Sequence, residues 1–338
     1  MTNPLLNNPD KIQTIDSPPS NSPQQSLLYS LWKFSRPHTI IGTSLSVFGL
    51  YILTQFTFRS ATFQPELLNL LATWIACLCG NIYIVGLNQL EDIEIDKINK
   101  PHLPIAAGEF TPKQAQIIVI LTGILSLLIA ANTGPFLLAM VSISLALGTA
   151  YSLPPIRLKR YPFWASFCIF TVRGIIVNLG LYLHFNCLLK AAHLGNSQQK
   201  FDLIALNQIP PQIWLLTLFI LIFTFAIAIF KDIPDIEGDR QYNISTFTLK
   251  LGAPTIFKLA RWVITTCYLT ISLAAIFYLP QQTALFLSIS HLLTLILLWW
   301  RSQKVNLQDK TEIAQFYQFI WKLFFLEYLL FPAACILG

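Results

Sequence analysis

WLLTLFILIFTFAIAIFKDIPDIEGD, residues 214–239, is apolar without a break from Trp214 to Phe230 and then turns at once into a lysine and four acids, Asp232, Asp235, Glu237 and Asp239. Runs close to the ~20 residues that a helix needs to cross a bilayer recur along the chain. They cover roughly 37–57, 67–88, 114–132, 135–153, 162–185, 212–230, 262–279, 281–300 and 316–337. The 338 residues are 54% hydrophobic and only 11% charged, against about 25% charged in a soluble domain. Backbone groups in lipid must be satisfied within the segment, so runs of this kind become helices. The expected fold is all-α: a polytopic membrane protein with nine transmembrane helices around a central cavity.

Charge asymmetry gives an orientation. With the N-terminus in the cytoplasm, sixteen Lys and Arg of the loops and the N-terminal flank fall on that side and three (Arg59, Lys190, Lys200) on the other. This is a strong positive-inside bias. It accounts for the net charge of +6 without a nucleic-acid partner. The six cysteines lie in or beside apolar segments and the five histidines show no ligand spacing, so neither suggests a metal or redox centre. Residues 1–26, rich in Pro, Asn, Ser and Gln, read as a disordered cytoplasmic tail, with neither the apolar core of a signal peptide nor the basic bias of a transit peptide. Residues 27–338 form the membrane domain.

Nine of the sixteen acids sit in two short windows, both on the cytoplasmic side. In GLNQLEDIEIDKINKPHLPIAAGEF (86–110), Asn88, Asp92 and Asp96 recur every four residues, and in KDIPDIEGD Asp232, Asp235 and Asp239 are spaced i, i+3, i+7. Each spacing stacks side chains along one helix face, where like charges repel. Solvated loop acids balanced by nearby lysines would explain any one of them. Two stripes, each starting where an apolar helix ends, point instead to a hard cation. Mg2+ takes oxygen ligands and typically combines one or two carboxylates with substrate phosphates. Lys97, Lys100, Lys231 and the strip YSLPPIRLKRY (151–161), with Arg157, Lys159 and Arg160, then become candidate phosphate partners. The pairing of Asp92 and Asp96 with Asp235 and Asp239, each after the second helix of a four-helix set, hints at an internal duplication whose two faces meet across a cavity.

Arg173 stands near the middle of the fifth span, in FTVRGIIVNLG. An ionisable residue at that depth is functional by default. It and nearby Asn178 are candidate substrate contacts, with a carboxylate, a diphosphate oxygen or an aspartate as partner; Glu327 of the ninth span is the structural alternative.

An NxxxDxxxD motif after the second span and a DxxxD motif after the sixth resemble the UbiA superfamily of intramembrane aromatic prenyltransferases, over about residues 30–338. Within it, NQLEDIEIDKINKPHLPIAAGEF and FKDIPDIEGDRQYNISTFTLKLG look most like the homogentisate prenyltransferases of tocopherol and plastoquinone synthesis. The 4-hydroxybenzoate enzymes typically begin the first motif Asn-Asp and follow it with an Arg-Thr…Arg-Pro run. Here Asn88-Gln89 and Ile98-Asn99-Lys100-Pro101 stand instead. The resemblance implies Asn88, Asp92, Asp96, Asp235 and Asp239 as the Mg2+-diphosphate set, flanked by Asp232 and Lys231. It implies Tyr151, Arg157 and Lys159 as a basic loop beside the diphosphate, and a chamber open sideways to lipid. It further implies homogentisate and phytyl diphosphate as substrates, with loss of CO2, and a photosynthetic (thylakoid or plasma) membrane. Geranylgeranyl or solanesyl donors, and naphthoate or chlorophyllide acceptors, remain alternatives. So does an aspartate-lined ion transporter, although its path would need polar residues on several helices at mid-membrane. The nine apolar spans argue strongly against a soluble prenyl-chain synthase, which also uses paired aspartate motifs.

Overall fold

The computed structural model describes residues 26–57, 67–194 and 208–337. Residues 1–25 of the expected tail, and the expected counter-side charges Arg59 and Lys200, lie outside the described residues. Nine helices among the described residues are long and apolar enough to cross a membrane. In chain order the helices are α1 (Leu27–Phe34), α2 (Pro37–Thr57), α3 (Leu67–Glu91), α4 (Ile93–Asn99), α5 (Pro112–Thr133) and α6 (Pro135–Ser152). Next come α7 (Pro162–Phe170), α8 (Val177–Leu194), α9 (Pro211–Phe230), α10 (Ile236–Gln241) and α11 (Phe247–Leu251). The last three are α12 (Ala253–Tyr278), α13 (Gln281–Ser302) and α14 (Lys310–Leu337).

Local chemistry sets the helix starts. Pro112, Pro135, Pro162 and Pro211 each open a helix, where the missing N–H costs nothing. At α5, Thr111 Oγ1 accepts from the Gln114 amide while the Gln114 side chain accepts from the Thr111 amide, a complete capping box. The opening stretch forms the centre: 72% of the α9 window is buried, against 28% for α5 at the periphery. Phe219, Phe223 and Phe230 of α9 are fully buried.

Two spans begin earlier than the apolar pattern indicates. The seventh starts at Ala253 rather than 262, because Arg261 is not a boundary: its guanidinium lies over Phe257 and Trp299, 5.0 and 4.8 Å from the ring centroids. The ninth starts at Lys310 rather than 316, where Asp309 Oδ1 accepts from the Thr311 amide at 2.7 Å. The fifth span is interrupted. Between α7 and α8, residues Thr171–Ile176 form a π-helical turn, which carries Arg173.

Candidate active site

The two acidic stripes are not continuous helix faces. α3 ends at Glu91, Asp92 breaks the helix, and α4 starts again at Ile93. In the second motif α9 ends at Phe230, residues 231–235 turn, and α10 begins at Ile236. Asp92 and Asp235 therefore hold the same position, the residue just before a short helix, and Asp96 and Asp239 lie one turn into it. The bends carry α4 onto α10. One hydrogen bond joins them: the Gly238 amide donates to Asn99 Oδ1 at 2.9 Å. A Cβ at Gly238 would stand 2.6 Å from the Asn99 side-chain amide, so the approach needs glycine.

Around this junction the acids and bases interlock. Asn88 Nδ2 donates to Asp92 Oδ2 at 2.8 Å, and Arg36 Nη2 donates to Asn88 Oδ1 at 3.1 Å. Asp92 Oδ1 is held by Arg157 Nη2 at 3.1 Å and Lys159 Nζ at 2.6 Å. Lys100 pairs with Asp235 across the two motifs, and Lys231 Nζ meets Asp232 Oδ1 at 2.6 Å. Asp96 and Asp239 make no ion pair among the described residues. Burial, with Asp92 and Asp235 nearby, pushes the Asp96 carboxyl up to about 6 against the pull of Arg36 and Lys100. Burial likewise pushes Asp239 up to about 7, with Asp235 and Asp232 adding repulsion and Lys231 opposing it. Asp232 is also raised by burial, and Lys159 is lowered by burial despite Asp92. For Lys231 burial acts downward, yet Asp232 and Tyr151 leave it raised well above the usual lysine value.

Among the described residues no three His, Cys, Asp or Glu side chains converge tightly enough to hold a metal unaided. Buried oxygens without a hydrogen-bond donor nevertheless remain, Asp96 Oδ2 and Asp235 Oδ1, together with a buried donor without an acceptor, Arg36 Nε. Orphaned buried polar atoms of both signs need a partner. A cation and an anion arriving together would supply both.

The rim opens into a cavity of about 950 Å³ lined by Asn88, Asp92, Asp96, Lys100, Tyr151, Lys159, Lys231, Asp232, Asp235 and Asp239 at the polar end. Along α3 it reaches from Asp92 to Ala76, about 24 Å at 1.5 Å per residue. The deep walls are apolar, with Met140, Val141, Leu145, Ile169 and Val172 among them. Arg173 also lines it.

Three expected substrate contacts are not on that wall. Lys97 is exposed and pairs with Glu94 at 2.7 Å. Arg157 stands behind the wall, tied to Asp92 and to the Glu91 carbonyl. Asn178 is fully buried; its amide donates to the Arg173 and Gly174 carbonyls and its oxygen accepts from Tyr328 Oη. Each is engaged by chain partners outside the cavity wall, although Arg157 Nε keeps no acceptor. Glu327 is not the partner of Arg173, since it pairs with His291 at 3.2 Å. Asn99, noted in the sequence only for its departure from the 4-hydroxybenzoate pattern, joins the wall, and so do Arg36, His38, Tyr317 and Trp321, which had not stood out. Arg36 resembled an ordinary flanking charge, and Trp321 an ordinary apolar helix residue.

The apolar helices thus enclose one cavity with a charged mouth and largely apolar deep walls, the form of an intramembrane lipid-binding protein. The chain belongs to the UbiA prenyltransferase family, which it matches over residues 46–323; it is an integral membrane prenyltransferase. It is 52% identical over 312 residues to homogentisate phytyltransferase of Synechocystis sp., covering 91% of this chain and 96% of the relative. To homogentisate solanesyltransferase of Arabidopsis thaliana it is 40% identical over 307 residues, covering 89% and 75%. The fold is similar to the UbiA homologue of Archaeoglobus fulgidus solved with DMAPP and Mg2+, with TM-score 0.57, 15% identity and coverage of 90% and 99%.

Proposed function

We propose that the chain transfers a prenyl group, phytyl in the first instance, from its diphosphate to homogentisate. The side-chain carboxylate is lost as CO2, and the products are 2-methyl-6-phytyl-1,4-benzoquinol and diphosphate, in tocopherol synthesis. The observation that carries this reading is one cavity that runs about 24 Å along α3, from a rim of acids and bases at Asp92 to apolar walls near Ala76. A C20 tail fits that depth. A solanesyl chain, more than twice as long, would have to leave sideways; the solanesyltransferase relative keeps it as the second reading.

Mg2+ is the proposed metal, and the unpartnered Asp96 and Asp235 oxygens fit it. Asp92, Asp96, Asp235 and Asp239, with Asn88, would hold it; once bound it neutralises charge on the diphosphate as the allylic C–O bond breaks. Lys100, Lys159, Lys231 and Arg36 supply fixed positive charge to the leaving group, with Tyr151 beside them, where water is scarce and such charges count most. Asp232 holds Lys231 in place. The C–O electron pair departs with the diphosphate, and an electron-rich ring carbon forms the new C–C bond and then loses its proton. The carboxylate leaves as CO2 and a proton takes its place. Met140, Val141, Leu145, Ile169 and Val172 keep water from the allylic cation. The polar mouth is proposed to face the cytoplasm of a photosynthetic membrane. The Lys and Arg asymmetry and the cyanobacterial and plant relatives support this.

The test is prenyl transfer by membranes that express the chain, with labelled homogentisate and phytyl, geranylgeranyl or solanesyl diphosphate. Mg2+-dependent product is expected, abolished by EDTA and cut about 100-fold or more by Asp92→Ala or Asp235→Ala. Absence of product with every donor, from well-expressed protein, would remove homogentisate as the acceptor.

A further inference from the structure

Arg173 lies eleven residues into the fifth span from Pro162, about 16 Å below the rim at helical rise. Its guanidinium stacks over Trp321, 5.0 Å from the ring centroid, and over Phe324 at 5.7 Å. On another side is Gly42 of α2, where a Cβ would stand 3.2 Å from Nη1. No Asp or Glu pairs with it among the described residues, and Glu327 is engaged by His291. Its backbone belongs to the π-helical turn, and Asn178 fastens the Arg173 and Gly174 carbonyls at 2.9 and 2.7 Å. π-helical turns are rare and concentrate at functional sites. A cation this deep is costly without a counter-charge, yet rings and a tied backbone hold this one open to the cavity.

We propose that Arg173 binds the carboxylate of the aromatic acceptor and so selects an arylacetate over the same ring without the acid. This assignment rests on the homogentisate reading above. A guanidinium suits planar, bidentate recognition of a carboxylate, and the pair gains strength where the dielectric is low. Trp321, almost fully buried, lines the cavity beside Arg173. Its neighbours are His38, with ring centroids 4.9 Å apart, and Tyr317, one turn nearer the rim at 6.3 Å. A ring anchored there by its acid stands between Arg173 and the diphosphate mouth, where the allylic carbon arrives.

The experiment compares wild type with Arg173→Gln, Arg173→Lys and Gly42→Ala in nanodiscs. The acceptors are homogentisate and methylhydroquinone, which has a methyl in place of the carboxymethyl group. Arg173→Gln is expected to raise the homogentisate KM roughly 30-fold or more and to erase the preference for homogentisate, while the KM for the prenyl diphosphate stays near wild type. Arg173→Lys should recover part of the loss, and Gly42→Ala, which presses on Nη1, should fall between. Unchanged homogentisate KM in Arg173→Gln would overturn the assignment and leave the reaction standing. Wild type that ignores homogentisate but prenylates another aromatic acid in an Arg173-dependent way would uphold the assignment and overturn homogentisate. If Arg173→Gln fails to accumulate, Gly42→Ala and Arg173→Lys decide on the same KM split.

Discussion

Asp96 and Asp239 differ from the other motif acids in having no lysine or arginine within ion-pairing distance among the described residues, and their carboxyls are pushed up to about 6 and about 7. A carboxyl whose folded value lies above its unfolded value of 3.8 holds its proton more tightly in the folded state. The stability this confers is complete below about pH 4 and is lost as pH rises through about 6 and 7. Metal-free protein should therefore melt at a lower temperature at pH 8 than at pH 6. Added Mg2+ should raise the melting temperature more at pH 8, where no proton competes for the same oxygens. Thermal melts with Mg2+ or EDTA at the two pH values check this; an equal Mg2+ effect at both would count against these carboxylates as ligands. At this scale the sequence was informative wherever chemistry is unusual for its place, since acids at apolar helix ends and an arginine at mid-membrane are both expensive. It was silent on Trp321 and His38, which are ordinary residues made special by what folds against them.

At the scale of elements, the α4–α10 contact assembles the mouth, and it depends on Gly238 lying against Asn99. Gly238→Ala should force the two short helices apart and lower kcat/KM about tenfold or more, because a displacement near 1 Å at a reacting centre is worth up to 100-fold. Asn99→Ala removes one hydrogen bond, at about 1 kcal/mol, and should reduce activity less. Steady-state assays beside a melting curve separate the two effects. Wild-type kcat/KM in Gly238→Ala would mean that the two motifs act without fixed spacing. The spacing rule was right that the acids share a side but wrong that each stripe is one helix. Proline and glycine mark most breaks in this chain, whereas Asp92 interrupts α3 with neither, so the pattern of apolar residues gave no sign of it. The π-helical turn is equally hidden, because it changes the backbone hydrogen-bond step without changing composition.

For the whole molecule, nine spans and the charge bias follow from the cost of unpaired backbone and of lysine in lipid, and both are visible residue by residue. The cavity depends on how distant spans pack, which no local pattern encodes. Met140 lies at its deep end on α6, with Leu137 and Phe136 packed in the core beyond it. Met140→Ala should deepen the shaft, costing about 2–5 kcal/mol of stability. It should also shift the kcat/KM ratio of solanesyl over phytyl diphosphate upward by about tenfold, measured by competition between the two donors. An unchanged ratio would place the tail elsewhere. The polar mouth and apolar shaft have a further consequence. The enzyme stands across a phase boundary: acid and diphosphate exchange with water, while donor tail and quinol exchange with the bilayer. What it senses of its donor is therefore a surface density, the mole fraction among lipids. Dilution of the aqueous phase leaves that unchanged, and growth of the membrane lowers it.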